Sequence, residues 1–527
     1  MYKKKIKSAL ISVFYKDGLE PIVRELDRLK VKIYSTGGTQ TFIEGLGIAV
    51  EAVEELTTYP SILDGRVKTL HPKVFGGILA RREAAHTAQL EKFDIPEIDL
   101  VIVDLYPFEE TIQKTKNEED IIEKIDIGGI SLIRAAAKNF QDVLVVPDRS
   151  LYPQMLELLK NQNGFTKLDE RRFFAVKAFN ISSHYDSAIF TWFAQQDTAT
   201  TKMPSFIAEG VETPLLTTPV FKHSIQKSEP LRYGENPHQS AVFFGDLTDM
   251  FETLNGKALS YNNLVDVDAA VRLMREFKND APTFAILKHT NACGVATKKT
   301  ILEAWKAALA SDPISAFGGI LICNKKIDAA TAEEINKLFY EVLIAPDFSP
   351  EALVILRGKK QRILLRIKDF YQGKKVFKNL LNGVIQQDAD LRTETEADLK
   401  YVTAKRPTDA QIQDLLYANI CVKHLKSNGI AIVKNRQLMT MGCGQTSRVD
   451  ALQHALDKAE HLGFDVKGAV MASEAFFPFP DCVEIADKAG IVAVIQPGGS
   501  VKDQDSIAYC NAHDVAMVMT GVRHFLH

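Results

Sequence analysis

Apolar and polar positions come in alternating blocks along the first part of the chain. "ALISVF" (9–14) is an apolar run that predicts a strand, and "GLEPIVRELDRLK" (18–30) spaces its apolar residues three and four apart, which predicts a helix. "VKIYST" (31–36) predicts the next strand, "GTQTFIEGLG" (38–47) a short helix stopped by glycine, and "DLVIVDLYPF" (99–108) is apolar almost throughout. Strands without apolar–polar alternation, separated by helices, are covered on both faces, so the pattern predicts a doubly wound parallel sheet of the α/β class. Such sheets bind ligands beyond the carboxyl ends of their strands, so chemistry is expected just after each apolar run. Residues 168–194 predict a long helix that closes this unit.

The stretch "QQDTATTKMP" (195–204) is polar and poor in bulky apolar residues. It divides the chain into a first domain over 1–196, a linker over 197–204 and a second domain over 205–527. The second domain is again mixed α/β, with a helix over 298–312 and a loop feeding a strand over 311–323. No internal repeat of fixed period is visible. A chain of 527 residues is too long for one hydrophobic core, in keeping with this division.

Composition narrows the function classes. The chain is 46% hydrophobic and 25% charged with a net charge of −3, so no basic excess points to nucleic acid as a partner. The start, "MYKKKIKSALISVF", has the look of a short signal peptide, but "YKDGLE" follows with no small-residue cleavage site, so a buried first strand is expected. No run reaches the ~18 apolar residues of a membrane span. The six cysteines (293, 323, 421, 443, 482 and 510) form no CxxC and no zinc-ligand spacing. Scattered thiols fit a reducing compartment, so a cytoplasmic protein without a metal site is expected.

Several short segments carry chemistry. "YSTGGT" (34–39) sets hydroxyls and two glycines between a strand and a helix, which makes either an anion-binding turn or a plain tight turn. "GRVKTLHPKVFGG" (65–77) gathers Arg66, Lys68, Thr69, His71 and Lys73, either a solvated loop or the other wall of a phosphate site. "IDIGGISLIRAAAKN" (125–139) places Asp126 before a double glycine and Lys138 in the following helix, as an acid–base couple or a structural ion pair. Further on, "LRYGENPHQS" (231–240) offers an arginine for a phosphate and a tyrosine for a flat ring. "GQTSRVDA" (444–451) repeats the Gly-Ser-Arg theme, and "EAFFPFPDCVEIADKAG" (474–490) places Phe476, Phe477 and Phe479 near Asp481. Those phenylalanines are either core or the wall of a pterin-like site. "RHFLH" (523–527) is either a frayed tail or an arginine held beside a carboxylate.

"LKHTNACGVA" (287–296) raises the sharpest choice. Cys293 would need a depressed pKa to act as a nucleophile, and free cysteines are more often buried bystanders. Lys288 and His289 stand at the end of an apolar run, where chemistry is expected. Adjacent side chains on an extended segment point apart, so a turn through Asn291, Cys293 and Gly294 is expected to bring both to one substrate.

With these motifs in this order, the chain resembles the bifunctional purine-biosynthesis family in which AICAR transformylase is joined to IMP cyclohydrolase. The resemblance rests on "STGGT", "GRVKTLHP", "LYPF", "KIDIGG", "RAAAKN", "LRYGENPHQ", "LSYNNLVDVDAA", "KHTNACGVA", "SDPISAFGG", "AFFPFPD" and the His-rich end, and spans essentially the whole length. It implies a methylglyoxal-synthase-like first domain and a transformylase domain with cytidine-deaminase-like α/β subdomains. It also implies a homodimer whose transformylase sites are completed across the interface. The reactions implied are formyl transfer from 10-formyltetrahydrofolate, as co-substrate, to AICAR, then closure of formyl-AICAR to IMP with loss of water.

By the same resemblance, Lys288 and His289 are the formyl-transfer pair. Arg232, Tyr233, Asp312, Ser447, Arg448 and Arg523 bind substrate, with Phe476, Pro478 and Asp481 bordering the folate and the base. Lys68, Tyr106, Asp126 and Lys138 carry cyclisation, and Ser12, Lys16, Ser35, Gly38, Arg66 and Thr69 cradle phosphate and ribose. Four positions depart from the family pattern: Tyr15 for a usual Asp, Asp104 for a usual Asn, Ala292 for a common proline and Cys443 for an alanine. Asp104 bears most on the cyclohydrolase geometry. A single-activity enzyme is disfavoured by intact motifs in both halves, and a binding protein on an inactive scaffold by the retained acid–base groups.

Overall fold

The computed structural model describes residues 3–63, 67–195, 221–370 and 373–527. The expected linker over 197–204 lies outside the described residues. Contacts divide the chain into two compact units, Met1–Gln226 and Lys227–His527. Among the described residues no helix is long and apolar enough to cross a membrane.

The first unit is built on a parallel sheet of five strands. In chain order its strands are β1 (Lys3–Lys5), β2 (Ser8–Ser12), β3 (Lys32–Ser35), β4 (Glu51–Ala52), β5 (Leu100–Val103), β6 (Leu144–Val146) and β7 (Phe165–Lys167). The sheet runs β4-β3-β2-β5-β6, while β1 and β7 pair as a separate antiparallel ribbon. Every residue of β5 is buried, as expected of a strand covered on both faces. The apolar run 99–108 leaves the sheet at Val103, so Asp104 to Pro107 form a loop at its carboxyl end. The helix Leu168–Gln195 closes the unit as the sequence pattern predicts.

The second unit opens with an antiparallel pair, β8 (Ser228–Leu231) and β9 (Ala241–Phe244). Two six-stranded sheets follow. The first contains β10 (Phe251–Asn255), β11 (Thr283–Lys288), β12 (Asn291–Thr297), β13 (Gly319–Cys323), β14 (Tyr340–Ala345) and β15 (Ile363–Ile367). A two-stranded hairpin, β16 (Lys375–Leu380) with β17 (Gly383–Asp388), leads to the second. That sheet contains β18 (Lys400–Tyr401), β19 (Ile430–Val433), β20 (Leu438–Gly442), β21 (Val470–Ser473), β22 (Ala493–Gln496) and β23 (Ala516–Met519).

The strand orders, β10-β15-β14-β13-β11-β12 and β18-β23-β22-β21-β19-β20, are the same order written twice. The first helix of each half starts from a capping box, Ser260 with Asn263 and Thr408 with Gln411. The first hairpin of each half carries a one-residue bulge at the equivalent point, after Ile286 and after Ile432. A duplicated architecture is therefore present although no fixed-period repeat is visible in the chain. Topology needs only the hydrophobic pattern, which many sequences satisfy, and loop lengths differ between the halves.

One local expectation is corrected here. Residues Asn291 to Gly294 are not a turn; they begin strand β12, and the turn is His289–Thr290 alone. Gly294 is required for packing, because a Cβ there would collide with the carbonyl of Ala308 on the helix Ile301–Ser311. All six cysteines are free, and five are buried.

Candidate active sites

In the first unit the predicted residues converge at the carboxyl end of the parallel sheet. β3 ends at Ser35 and the helix Gly37–Gly45 begins at once, so its first amides are exposed to a ligand. Gly38 has open space around it, with nothing within 4 Å of where a Cβ would stand. The Lys68 ammonium lies 3.3 Å from the Cβ position of Gly37, bringing a charge to that helix end. Thr69 is buried, and its hydroxyl lies 3.3 Å from the Cβ position of Gly128 at the start of the helix Gly128–Lys138. Ser12 ends β2, and the Lys16 ammonium donates to the carbonyls of Val13 and Phe14. The Ser35 hydroxyl donates to Ile11 O at 2.7 Å, which leaves it only accepting capacity toward a ligand.

Asp126 is the electrostatic centre of this site. It is 8% exposed, and its carboxylate accepts from Gly129 N at 2.6 Å and Tyr106 N at 3.3 Å. Burial raises its pKa above the usual carboxylate range, against those backbone hydrogen bonds. Tyr106 is exposed beside it, edge-on to Phe14 with centroids 5.7 Å apart, and burial together with Asp126 raises its pKa. Asp104 reaches backward instead of toward a base: it accepts from the N–H of Phe14 and, at 3.0 Å, of Tyr15. The Tyr15 hydroxyl donates to Glu110 at 2.7 Å, and its pKa is pushed up to about 12 by burial and Glu110. The two departures thus pin the 13–17 loop from both sides.

Three expectations fail in this unit. Lys138 is the last residue of the 11-residue helix that Asp126 precedes, so the helix holds the two about 16 Å apart along its axis. Helices run antiparallel to the strands here, which places exposed Lys138 at the amino end of the sheet, and the Asp126–Lys138 couple does not form within the chain. His71 caps the helix Pro72–Leu79, accepting from Lys73 N at 3.2 Å. Lys73 turns to Asp94, 3.3 Å away. Arg66 lies outside the described residues.

In the second unit, β11 and β12 bring Lys288 and His289 to the tip of a hairpin. Both turn residues are left-handed, with φ of 50° at His289 and 66° at Thr290. Hairpins of this kind favour Asn-Gly, and a β-branched residue there costs on the order of 1–3 kcal/mol. The carboxylate of Asp266, on the helix Tyr261–Glu276, accepts from Thr290 N at 2.7 Å and offsets that cost. The Lys288 ammonium donates to Phe317 O and Gly318 O, both at 3.0 Å, leaving one N–H of three for a ligand. His289 is exposed. Cys293 is buried with its thiol pushed up to about 12 by desolvation, so it is inert as a nucleophile.

The other half of the unit meets β12 where Lys426 N donates to Asn291 Oδ1 at 3.0 Å, and its remaining predicted residues follow the carboxyl ends of β20, β21 and β23. Phe476, Pro478 and Phe479 are exposed there and Asp481 is half-buried, whereas Phe477 is core. Ser447 caps the helix Arg448–His461, its hydroxyl accepting from Asp450 N at 3.0 Å. Arg232 and Tyr233 stay together, with the guanidinium donating to the phenol oxygen at 2.8 Å. Their loop is tied to the Tyr261–Glu276 helix by Asn262 donating to Glu235 O at 3.2 Å.

Two predicted ligands are corrected. Arg448 is buried and spends its guanidinium on Glu474 at 2.6 Å, Ser473 at 2.8 Å and Asn428 at 2.8 Å, so it is part of the frame and has no fork left for a phosphate. Asp312 is buried against Lys458, with its other oxygen accepting from Ser315 N at 2.9 Å. Burial opposes its charge, but Lys458 and Ser315 lower its pKa overall.

The tail is not frayed. His524 is 2% exposed between Asp390 at 2.6 Å and Glu394 at 2.9 Å, Leu526 N donates to Ser427 Oγ at 3.1 Å, and Arg523 projects outward over Phe525. Asp266, Glu474 and His524 lie inside quoted segments, but no role is expected of them there, and only tertiary contacts reveal what they do.

A family model described as the AICARFT/IMPCHase bienzyme matches residues 136–458, and one described as an MGS-like domain matches residues 18–131. The chain is 57% identical over 525 residues to the bifunctional purine biosynthesis protein PurH of Bacteroides thetaiotaomicron, covering 99% of each. It is 45% identical over 534 residues to the protein of the same name from Acetivibrio thermocellus, covering 99% of this chain and 100% of that one. The Aquifex aeolicus protein of that name is 44% identical over 525 residues, covering 98% of this chain and 100% of that one.

Proposed function

The chain belongs to the AICARFT/IMPCHase bienzyme family and catalyses the last two steps of purine biosynthesis, formyl transfer to AICAR and closure to IMP, and we propose which side chains act in each. Formyl transfer falls to the second unit, cyclisation to the first. The observation that carries the first assignment is the left-handed turn that presents Lys288 and His289 together at one hairpin tip.

In formyl transfer His289 accepts the proton lost when the AICAR 5-amine bonds to the formyl carbon. The remaining N–H of Lys288 faces the formyl oxygen, where negative charge develops, and the folate nitrogen takes up one proton as its bond to the formyl carbon breaks, which balances the proton lost by the amine. The donor, 10-formyltetrahydrofolate, supplies the formyl carbon. The exposed apolar surface of Phe476, Pro478 and Phe479, with Asp481 beside it, fits a flat ring that also carries hydrogen-bond donors. Arg232, Tyr233, Ser447 and exposed Arg523 hold the nucleotide.

In cyclisation Asp126, kept basic by burial, takes a proton from the carboxamide nitrogen as that nitrogen bonds to the formyl carbon; Lys68 stabilises the formyl oxygen and protonates it, and loss of the formamide N–H proton completes the water that leaves. Tyr106 orients the base, and Ser12, Lys16, Ser35, Gly38 and Thr69 hold phosphate and ribose. The reaction is intramolecular, so orientation supplies much of the rate. The two halves of the second unit read as cytidine-deaminase-like subdomains, each a six-stranded sheet flanked by helices. The protein works in the cytoplasm, and it works as a homodimer, the latter supported by the exposed Phe173, Val176 and Phe179 along the helix Leu168–Gln195.

The test supplies AICAR with 10-formyltetrahydrofolate and follows tetrahydrofolate and IMP. His289→Ala stops formyl transfer and still cyclises added formyl-AICAR, whereas Lys68→Ala lets formyl-AICAR accumulate. Formyl transfer by His289→Ala at the wild-type rate would refute the assignment.

A further inference from the structure

We propose that Asp266 is a positioning residue for formyl transfer: its carboxylate locks the His289–Thr290 turn and thereby sets where the imidazole and the Lys288 ammonium point. The inference rests on the assignment of His289 as the proton acceptor and deepens it. Asp266 accepts from Thr290 N at 2.7 Å, and it stands within electrostatic reach of both His289 and Lys288. Thr290 is β-branched and left-handed, a conformation that persists only where surrounding contacts over-determine it. Loss of the acceptor leaves the Thr290 N–H unpaired and frees the turn to relax.

The duplicated half supplies an independent observation. Asp266 is the sixth residue of the helix Tyr261–Glu276, and Asp414 is the sixth residue of the helix Asp409–Lys423. Asp414 clamps the other hairpin tip in the same way, accepting from Asn435 N at 2.8 Å and Arg436 N at 2.7 Å. Those two residues are left-handed as well, with φ of 54° and 53°. Nothing at that tip carries the Lys-His pair: Lys434 is followed by Asn435, and its ammonium donates to Lys467 O at 2.6 Å. A carboxylate found at both tips, of which one bears the pair, belongs to the turn and not to the proton transfer. Asp266 therefore acts through His289 and does not touch the reacting atoms.

The experiment compares Asp266→Ala, Asp266→Asn, Asp414→Ala and His289→Ala in the full chain, with steady-state formyl transfer and thermal unfolding on each preparation. Asp266→Ala is expected to lower kcat about 100-fold, the loss typical of a misplaced catalytic group, with KM for AICAR close to wild type. Asp266→Asn, keeping one neutral acceptor, loses kcat in smaller measure. Asp414→Ala lowers the unfolding temperature as Asp266→Ala does and leaves kcat unchanged. Wild-type kcat in Asp266→Ala beside an inactive His289→Ala overturns the positioning role, and so does an equal kcat loss in Asp414→Ala, which would mark general destabilisation. Wild-type kcat in His289→Ala overturns the underlying assignment instead. Should Asp266→Ala not fold, wild-type kcat in Asp266→Asn overturns the proposal.

Discussion

The two hairpins of the second unit share a fold and differ in fate. Each ends in two left-handed residues, carries the same bulge and is held by an aspartate from the preceding helix. At the second tip, Thr297 N donates to Arg436 O at 3.0 Å, Lys298 donates to Asn435 O at 2.7 Å and Arg436 pairs with Asp280 at 2.6 Å. Its polar groups are consumed by the neighbouring half. At the first tip His289 stays exposed, with one N–H of the Lys288 ammonium unspent. The difference teaches that a duplicated scaffold supplies a place for chemistry twice, and that contacts from the other half decide whether the place stays open.

The largest effect that can break this comparison is on rate. Lys288→Ala should lower formyl transfer by about 1000-fold, within the span seen for acid–base groups, while Lys434→Ala keeps the wild-type rate. Equal losses in initial-rate assays would erase the distinction between the tips. The next largest is on stability of the half that bears the closed tip. Arg448→Ala leaves Glu474 buried without its partner and should cost about 3–5 kcal/mol in urea unfolding. A loss below 1 kcal/mol there would mean the pair is dispensable.

The same half should respond to pH through His524. Burial alone would lower its pKa, but hydrogen bonds to Asp390 and Glu394 raise it from the ordinary 6.5 to about 9. The stability it contributes is therefore complete below pH 6.5 and is lost as pH rises through about 9. His524→Gln should flatten the fall in unfolding temperature across that window, and parallel curves for the two proteins would count against it. The smallest effect belongs to the closed tip. Arg436→Ala removes a partly exposed pair with Asp280 and should cost about 1 kcal/mol or less, with formyl transfer unchanged.

Much of this arrangement is legible in the chain. Buried runs without alternation predict the parallel sheet, and the helices expected over 168–194 and 298–312 form as Leu168–Gln195 and Ile301–Ser311. The order of motifs singles out Lys288, His289, Lys68 and Asp126. Other assignments depend on direction and distance, which local pattern does not encode. Lys138 falls at the far end of its helix from Asp126, and Arg448 turns inward to Glu474. Asp312 turns to Lys458, and Asp104 to the backbone of Phe14 and Tyr15.

By itself the sequence determined the class of fold, the position of several elements and which segments carry chemistry, because periodicity acts over a few residues. Only the tertiary structure decided which of two equivalent hairpins stays open, which charged residues are spent on holding the frame and what clamps the working turn. Those outcomes depend on partners far apart in sequence, such as Asp266 with Thr290, Lys426 with Asn291 and His524 with Glu394, which meet only when the chain has folded.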